Sequence, residues 1–274
     1  MKLEILHAAP RDRDPDAPIR PPLLFVHGAF AGAWCWSETF LPWFAARGWD
    51  CRALSLRGHG GSEGRERLDS FRLRDYAEDV TTVLDGLDAP PVLIGHSMGG
   101  MVVQKVLEER ESTGEIAGAV LMASVPPKGL LEGAMAMASQ HPNLYWTVLQ
   151  IQTTGRSASG LRPVEDALFH SQPTPAESAR YADLLQGESL TVINDMTWAD
   201  VPRPPLRVLP LLVMGATEDW FVPPTQVRAT AAYHGVEPHL FPDIGHAMMM
   251  DRGWERIAAA LLDWLEVTYG QDME

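Results

Sequence analysis

The chain has 274 residues, a hydrophobic content of 46% and a formal net charge of −14, which is enough apolar material for one large α/β domain or a domain with a sizeable insertion. The negative balance argues against nucleic acid as a partner and against a polybasic membrane patch. No apolar run approaches the roughly 20 residues that cross a bilayer, and the start, MKLEILHAAPRDRD, turns charged where a signal peptide would turn apolar. A cytoplasmic location with no membrane partner is therefore expected, and a homodimer is left open.

In chain order, residues 3–8 (LEILHA) read as a first strand, and 10–22, dense in proline and charge, as a loop. Leu23–Val26 is a short continuous apolar run, as expected of a strand buried on both faces, and it ends in His27-Gly28-Ala29-Phe30. His27 reads as a loop histidine bonded to neighbouring backbone. Residues 38–47 give a helix stopped by Gly48, and 51–56 the next strand, ended by Arg57-Gly58-His59-Gly60-Gly61-Ser62. That turn lacks the Lys-Ser/Thr ending of a P-loop and opens no G-x-G-x-x-G helix, so it reads as a loop near a site entrance. Residues 71–87 carry an apolar stripe at spacings of three and four, a helix packed on the sheet. A strand at 92–96, a helix after it and a buried strand at 116–123 continue the alternation, which implies a mostly parallel sheet covered on both faces.

The alternation stops at Pro126-Pro127 and resumes at Leu209. Between them lie helix-like pieces at 129–139, 142–152 and 175–186, the last opened by the capping box Thr174-Pro175-Ala176-Glu177. An all-helical insertion between two strands reads as a lid, so the chain divides into a core of 1–125 and 206–274 and a cap of 126–205. The remainder gives a strand at 211–215, a helix at Pro224–His234 stopped by Gly235, a last strand at 237–241 and a final amphipathic helix from Trp254. Cys35 and Cys51 are too few for a disulfide framework and read as free buried thiols.

One stretch carries chemistry. Val92-Leu93-Ile94-Gly95-His96-Ser97-Met98-Gly99-Gly100 breaks an apolar strand into G-x-S-x-G and resumes as a helix. A serine hydroxyl is a weak nucleophile and needs a tight exposed turn, a base and backbone donors beside it. Ser97 has the turn. The N–H of Met98, in the first helical turn, and that of Ala29, in the loop after the 23–26 strand, are the candidate oxyanion donors. Open α/β sheets gather their sites at the carboxyl ends of strands. There Ser97 is joined by an acid after the 211–215 strand, with Asp219 preferred over Glu218 in Gly215-x-x-x-Asp219-x-x-Val222-Pro223, and by His246 after the last strand. The order Ser, acid, His is that of a hydrolase. No HExxH or CxxC spacing occurs, so neither metal nor cofactor is expected.

These motifs, VHGAF at 26–30, LRGHGGS at 56–62, GHSMGG at 95–100, GATED at 215–219 and Gly245-His246, resemble the α/β-hydrolase superfamily over about residues 22–266. The resemblance implies a doubly wound sheet with a helical cap inserted after the sixth strand. His-Gly-Ala followed by Ala33-Trp34-Cys35-Trp36 resembles the plant methylesterase and hydroxynitrile lyase branch, whereas LRGHGGS resembles bacterial esterases and lysophospholipases. Ser55 stands where the family often has an aspartate, and the N-terminal strands look abbreviated. The expected activity is hydrolysis of a small-molecule ester through an acyl-enzyme on Ser97. Lactone or amide hydrolysis, carbon–carbon cleavage, perhydrolysis and lyase chemistry are alternatives on the same three residues, and a ligand-binding receptor with a vestigial triad is a further one. Phe30, Met135, Met137, Trp146, Trp198, Trp220 and Met248, in the lid or in site-facing loops, are the candidate substrate-binding residues.

Overall fold

Apolar runs that alternate with amphipathic segments bury both as a sheet with helices on its faces. The computed structural model, which describes residues 1–11, 20–109, 115–154, 161–203 and 209–270, has this architecture. Its strands are β1 (Glu4–Ala8), β2 (Leu23–Val26), β3 (Cys51–Ser55), β4 (Val92–His96), β5 (Gly118–Met122), β6 (Leu211–Ala216) and β7 (Pro238–Phe241). They form one sheet in the order β1-β3-β2-β4-β5-β6-β7, parallel throughout except for β1, which runs antiparallel to β3 at the edge. The helices are α1 (Trp34–Ser37), α2 (Phe40–Ala45), α3 (Leu73–Leu84), α4 (Met98–Glu109), α5 (Leu131–Gln140), α6 (Pro142–Thr154), α7 (Arg162–Leu168), α8 (Pro175–Leu184), α9 (Leu190–Asn194), α10 (Pro224–His234) and α11 (Trp254–Tyr269).

Successive strand residues point to opposite faces, so each inner strand feeds two cores. Leu24, Val26, Leu93 and Leu121 pack with α3, α4 and α10 on one face. On the other, Leu23, Phe25, Ile94 and Val120 pack with α1, α2 and α11. This mostly parallel sheet covered on both faces is what the alternation implied, and its doubly wound form is what the resemblance implied. The chain winds from β2 outward to β3, then returns past β2 to β4. The crevice at that reversal is where ligands bind in open α/β sheets, and the loops after β2 and β4 both open into it.

Three expectations are corrected in detail. The helix expected at 38–47 is shorter, α2 alone, and a separate helix α1 precedes it: between them Thr39 leaves helical geometry with φ −124° and ψ −80°, and its hydroxyl donates to the Met249 carbonyl. The insertion follows the fifth strand instead of the sixth, because β1 alone precedes β2. It also holds α7 and α9, two short helices the spacing did not reveal. Most of the expected 10–22 loop and the expected cap boundary at 205–206 lie outside the described residues. Both cysteines are free and buried. Among the described residues no helix is long and apolar enough to cross a membrane.

Candidate active site

β4 ends at His96 and α4 begins at Met98, so Ser97 alone turns the chain, and it does so with φ 53°. A non-glycine residue in the left-handed region costs on the order of 1–3 kcal/mol and persists only where its surroundings hold it. Here the Ser97 N–H donates to the Met122 carbonyl, and the Ser97 carbonyl accepts from Gly100 and Val125, each at 3.0 Å. The turn is also tightly packed. A Cβ on Gly95 would strike the backbone of Gly99, and one on Gly99 would strike the Val26 carbonyl. Met98, first residue of α4, has its N–H among the donors that no helix satisfies internally.

His246, in the loop after β7, places Nε2 2.9 Å from Ser97 Oγ. Its Nδ1 donates to Asp219 Oδ2 at 2.7 Å. Asp219, in the turn after β6, spends its other oxygen on the Phe221 and Val222 N–H groups, both at 2.8 Å. Asp219 and His246 are buried, and Ser97 is partly open to the crevice. Nδ1 facing a carboxylate must carry the proton, which leaves Nε2 free to accept one from the serine.

Two further histidines are buried beside these and are held neutral. His96 donates from Nε2 to the His246 carbonyl at 2.9 Å; burial, then the neighbouring His246, pushes its pKa down to about 3. His27 donates from Nδ1 to the Gly28 carbonyl and accepts the Leu56 N–H at Nε2. Burial, then His59, pushes it also down to about 3. Both serve as fixed hydrogen-bonding groups shaping the loops around Ser97.

Above Ser97 lies a cavity of about 160 Å³. Its floor is Ser97, His96 and His246, and one wall is Gly28, Ala29 and Phe30. Trp34 and Phe221 close the core side, while Val148, Ile151, Leu161, Val164, Phe169 and Tyr181 come down from the cap. Tyr181 stacks on both Trp34 and Phe169. The lining suits an apolar group held against the serine.

The model of the alpha/beta hydrolase family matches residues 23–260. The chain belongs to this family. Methylesterase 1 of Arabidopsis thaliana is 27% identical over 183 residues, covering 64% of this chain and 68% of its own. The non-heme chloroperoxidase of Burkholderia pyrrocinia is 35% identical over 108 residues, 39% of this chain and 38% of its own. A thermophilic esterase from Thermogutta terrifontis superposes with a TM-score of 0.69 at 19% identity, covering 97% of this chain and 94% of that one, a likeness of fold. The hydrolase thus stands in an enzyme family whose members are named for ester and peroxide chemistry.

Of the residues expected to contact substrate, this hydrolase brings Phe30 to the cavity and not the others. Met135, Trp146, Trp198 and Trp220 are exposed, and Trp220 stacks on His141 at 4.2 Å. Met137 packs within the cap's own cluster around Leu144 and Ile151. Met248 is fully buried in the core with Phe241 and Ile257. An apolar side chain in the lid is not by that fact turned toward the cavity. On α6 the stripe Leu144, Val148, Ile151, at spacings of four and three, defines the inward face. Trp146, two residues from Leu144 and from Val148, falls on the outer face. The same spacing in Leu161, Val164 and Leu168 would have found the α7 wall.

The RGHGGS loop, expected near a site entrance, contributes no residue to the cavity lining and instead holds the cap. Glu188 of the cap is buried against it: its carboxylate accepts from the Tyr76 hydroxyl at 2.7 Å and the Ser189 N–H at 2.8 Å, and its Oε2 lies 3.1 Å from His59 Nε2. Burial alone would raise this carboxyl, but His59 and these hydrogen bonds outweigh it and hold it below the usual carboxylate range. Gln186 links the Phe30 carbonyl, through its N–H, to the Gly60 N–H, through its Oε1. Ser55, where the resemblance suggested an aspartate, donates at 2.5 Å to Glu4 of β1, so a carboxylate reaches this spot from the edge strand.

Proposed function

We propose that this hydrolase cleaves small-to-medium carboxylic esters through an acyl-enzyme on Ser97. The observation that carries the reading is the chain of hydrogen bonds from Ser97 Oγ through His246 to Asp219, set at the floor of an apolar cavity. In this reading Ser97 Oγ attacks the ester carbonyl as its proton passes to His246 Nε2, while Asp219 keeps the imidazole in the required tautomer and stabilises its positive charge. The Ala29 and Met98 N–H groups receive the oxyanion. His246 returns the proton to the departing alcohol, then activates the water that frees Ser97. The small loop residue Ala29 in His27-Gly28-Ala29 also supports the likeness to the methylesterase branch at this loop. The cap of 126–205, in this reading, selects the acyl or alcohol group. The apolar walls favour an uncharged small molecule as substrate, and no step calls for a metal or cofactor.

A second reading is perhydrolysis, in which hydrogen peroxide replaces water and carries the acyl group off as a peracid. The stretch shared with the non-heme chloroperoxidase favours it. Chromogenic esters of graded acyl length, matched amides and lactones, and an acetate- and peroxide-dependent bromination assay separate these reactions. Ester turnover should dominate, Ser97→Ala should abolish it, and a fluorophosphonate probe should label Ser97 alone. Labelling at another serine, or wild-type rates in the alanine variant, would overturn the assignment.

A further inference from the structure

His246 sits on a loop with little regular structure of its own, and its ring must hold two bonds at once. Such alignment fails when the backbone beneath it drifts by more than about 0.5 Å. Three contacts fix that backbone. His96 Nε2 donates to the His246 carbonyl at 2.9 Å. The Ala247 N–H donates at 2.8 Å to the carbonyl of Leu168, where α7 ends. The third is Asp251: its Oδ2 accepts both the Gly245 N–H at 3.0 Å and the His170 N–H at 2.7 Å.

The Asp251 contact is unusual in its chemistry. The side chain is 1% exposed, its Oδ1 has no hydrogen-bond partner, and it enters none of the ion pairs among the described residues. Burying a carboxylate without a cation is costly. One oxygen that joins two segments far apart in sequence gives it a use no apolar residue could supply. Its own backbone turns back for this purpose, the Asp251 N–H donating to the Ala247 carbonyl at 2.9 Å. The two segments are in close contact: a Cβ on Gly245 would lie 2.5 Å from the Leu168 carbonyl oxygen and 2.8 Å from the His170 nitrogen.

We propose that Asp251 is a positioning residue for His246, clamping the histidine's loop to cap segment 168–170 so that the base is aligned only when this part of the cap is seated. The proposal rests on the reading of His246 as the base. It makes the cap a participant in aligning the reactive groups as well as a wall of the cavity.

The test compares wild-type protein with Asp251→Ala and Asp251→Asn, using an acetyl ester too small to meet the cap walls. An Asn carbonyl can accept both N–H groups, and its amide nitrogen takes the place of the unpartnered oxygen. The alanine variant should lose about 10- to 100-fold in kcat, the scale of a misplacement near 1 Å, with KM within about threefold, and the asparagine variant should recover to within about fivefold. Hydrogen exchange read over 243–249 and 168–171 should rise in both segments in the alanine variant and in neither in the asparagine variant. Should alanine fail to fold, Asp251→Ser, whose hydroxyl is too short to reach both donors, takes its place with the same expectations. A lowered melting temperature with unchanged kcat, an asparagine variant as slow as alanine, or exchange rising in one segment alone would each overturn the proposal. The exchange arm needs no substrate, so it still decides on the clamp if the wild-type chain proves to cleave no ester.

Discussion

Glu218 and Asp219 stand side by side, and their surroundings separate them. Glu218 is exposed, with Thr217 Oγ1 3.3 Å from its carboxylate. Asp219 is buried, with Oδ1 held by two backbone N–H groups and Oδ2 turned to His246. In Asp219→Asn the amide oxygen should take the Oδ1 place, because only it can accept those N–H groups. The NH2 would then face His246 Nδ1 and force the opposite tautomer, with Nε2 protonated and unable to take the serine proton. A loss of roughly 10³- to 10⁴-fold in kcat follows by analogy with serine proteases, whereas Glu218→Gln should cost less than about tenfold. Steady-state kinetics on both variants checks this, and reversed effects would assign the acid to Glu218. Two further histidines at this spot have backbone partners: His27 and His96 are neutral and bonded to peptides, so neither competes with His246 for the base's role in the proposed reaction.

Of the cap helices, α6, α7 and α8 present one face each to the cavity, and substitutions on that face should alter selectivity. Val148 and Ile151 on α6 and Val164 on α7 line the space above Ser97, while Met135 on α5 and Trp146 on α6 face outward. Enlarging the inner face, as in Val148→Trp or Val164→Phe, should lower kcat/KM for decanoyl relative to acetyl esters by about 10- to 100-fold. That corresponds to about 1–3 kcal/mol, the scale on which an apolar pocket discriminates by a methylene or two. Met135→Ala and Trp146→Ala should leave the length profile within about twofold. A profile unmoved by the inner substitutions would mean that substrate does not reach this wall. The capping box at the start of α8 is formed in both directions, Thr174 N–H to Glu177 and Glu177 N–H to Thr174. It fixes where α8 begins, and with it the height of Tyr181 above Trp34.

Across the whole molecule, cap and core are joined by buried polar bonds at separate places. Glu188 meets Tyr76 and His59. Asp195, fully buried, takes two hydrogen bonds from Arg72 at 2.7 and 3.1 Å and one from the Leu73 N–H. Arg180 of α8 reaches Glu38 at the exposed rim, where screening leaves an ion pair worth little. Stability should therefore depend on the buried joints. Because the folded-state pKa of Glu188 is depressed, its contribution is full above the unfolded value of about 4.5 and is lost as pH falls through the lower folded value. Glu188→Gln should destabilise the protein by about 1.5–3 kcal/mol at pH 7, the range for hydrogen bonds to a charged group. Its deficit against wild type should shrink below about pH 4.5. Urea unfolding from pH 7 to 3.5 measures this, and a deficit independent of pH would mean that Glu188 is not held as a carboxylate.

The sequence by itself determined the α/β layering, the two-faced inner strands, the strand–turn–helix around Ser97 and a helical insertion between the strands at 116–123 and 211–215. Each of these is encoded locally, in a hydrophobic period, a glycine that must admit backbone, or a capping residue. It also singled out Asp219 and His246, because topology sends every strand-end loop of a parallel sheet to one edge. Which cap residues face the cavity was decided by the tertiary structure, since bulk says nothing about direction and the helix phase is read only against its partner. The roles of Glu188, Asp195 and Asp251 were hidden for a related reason. An isolated acid in a sequence reads as solvated surface, and each of these is buried by a donor far along the chain: Tyr76 is 112 residues from Glu188, Arg72 is 123 from Asp195 and His170 is 81 from Asp251. Only the folded chain brings those partners together.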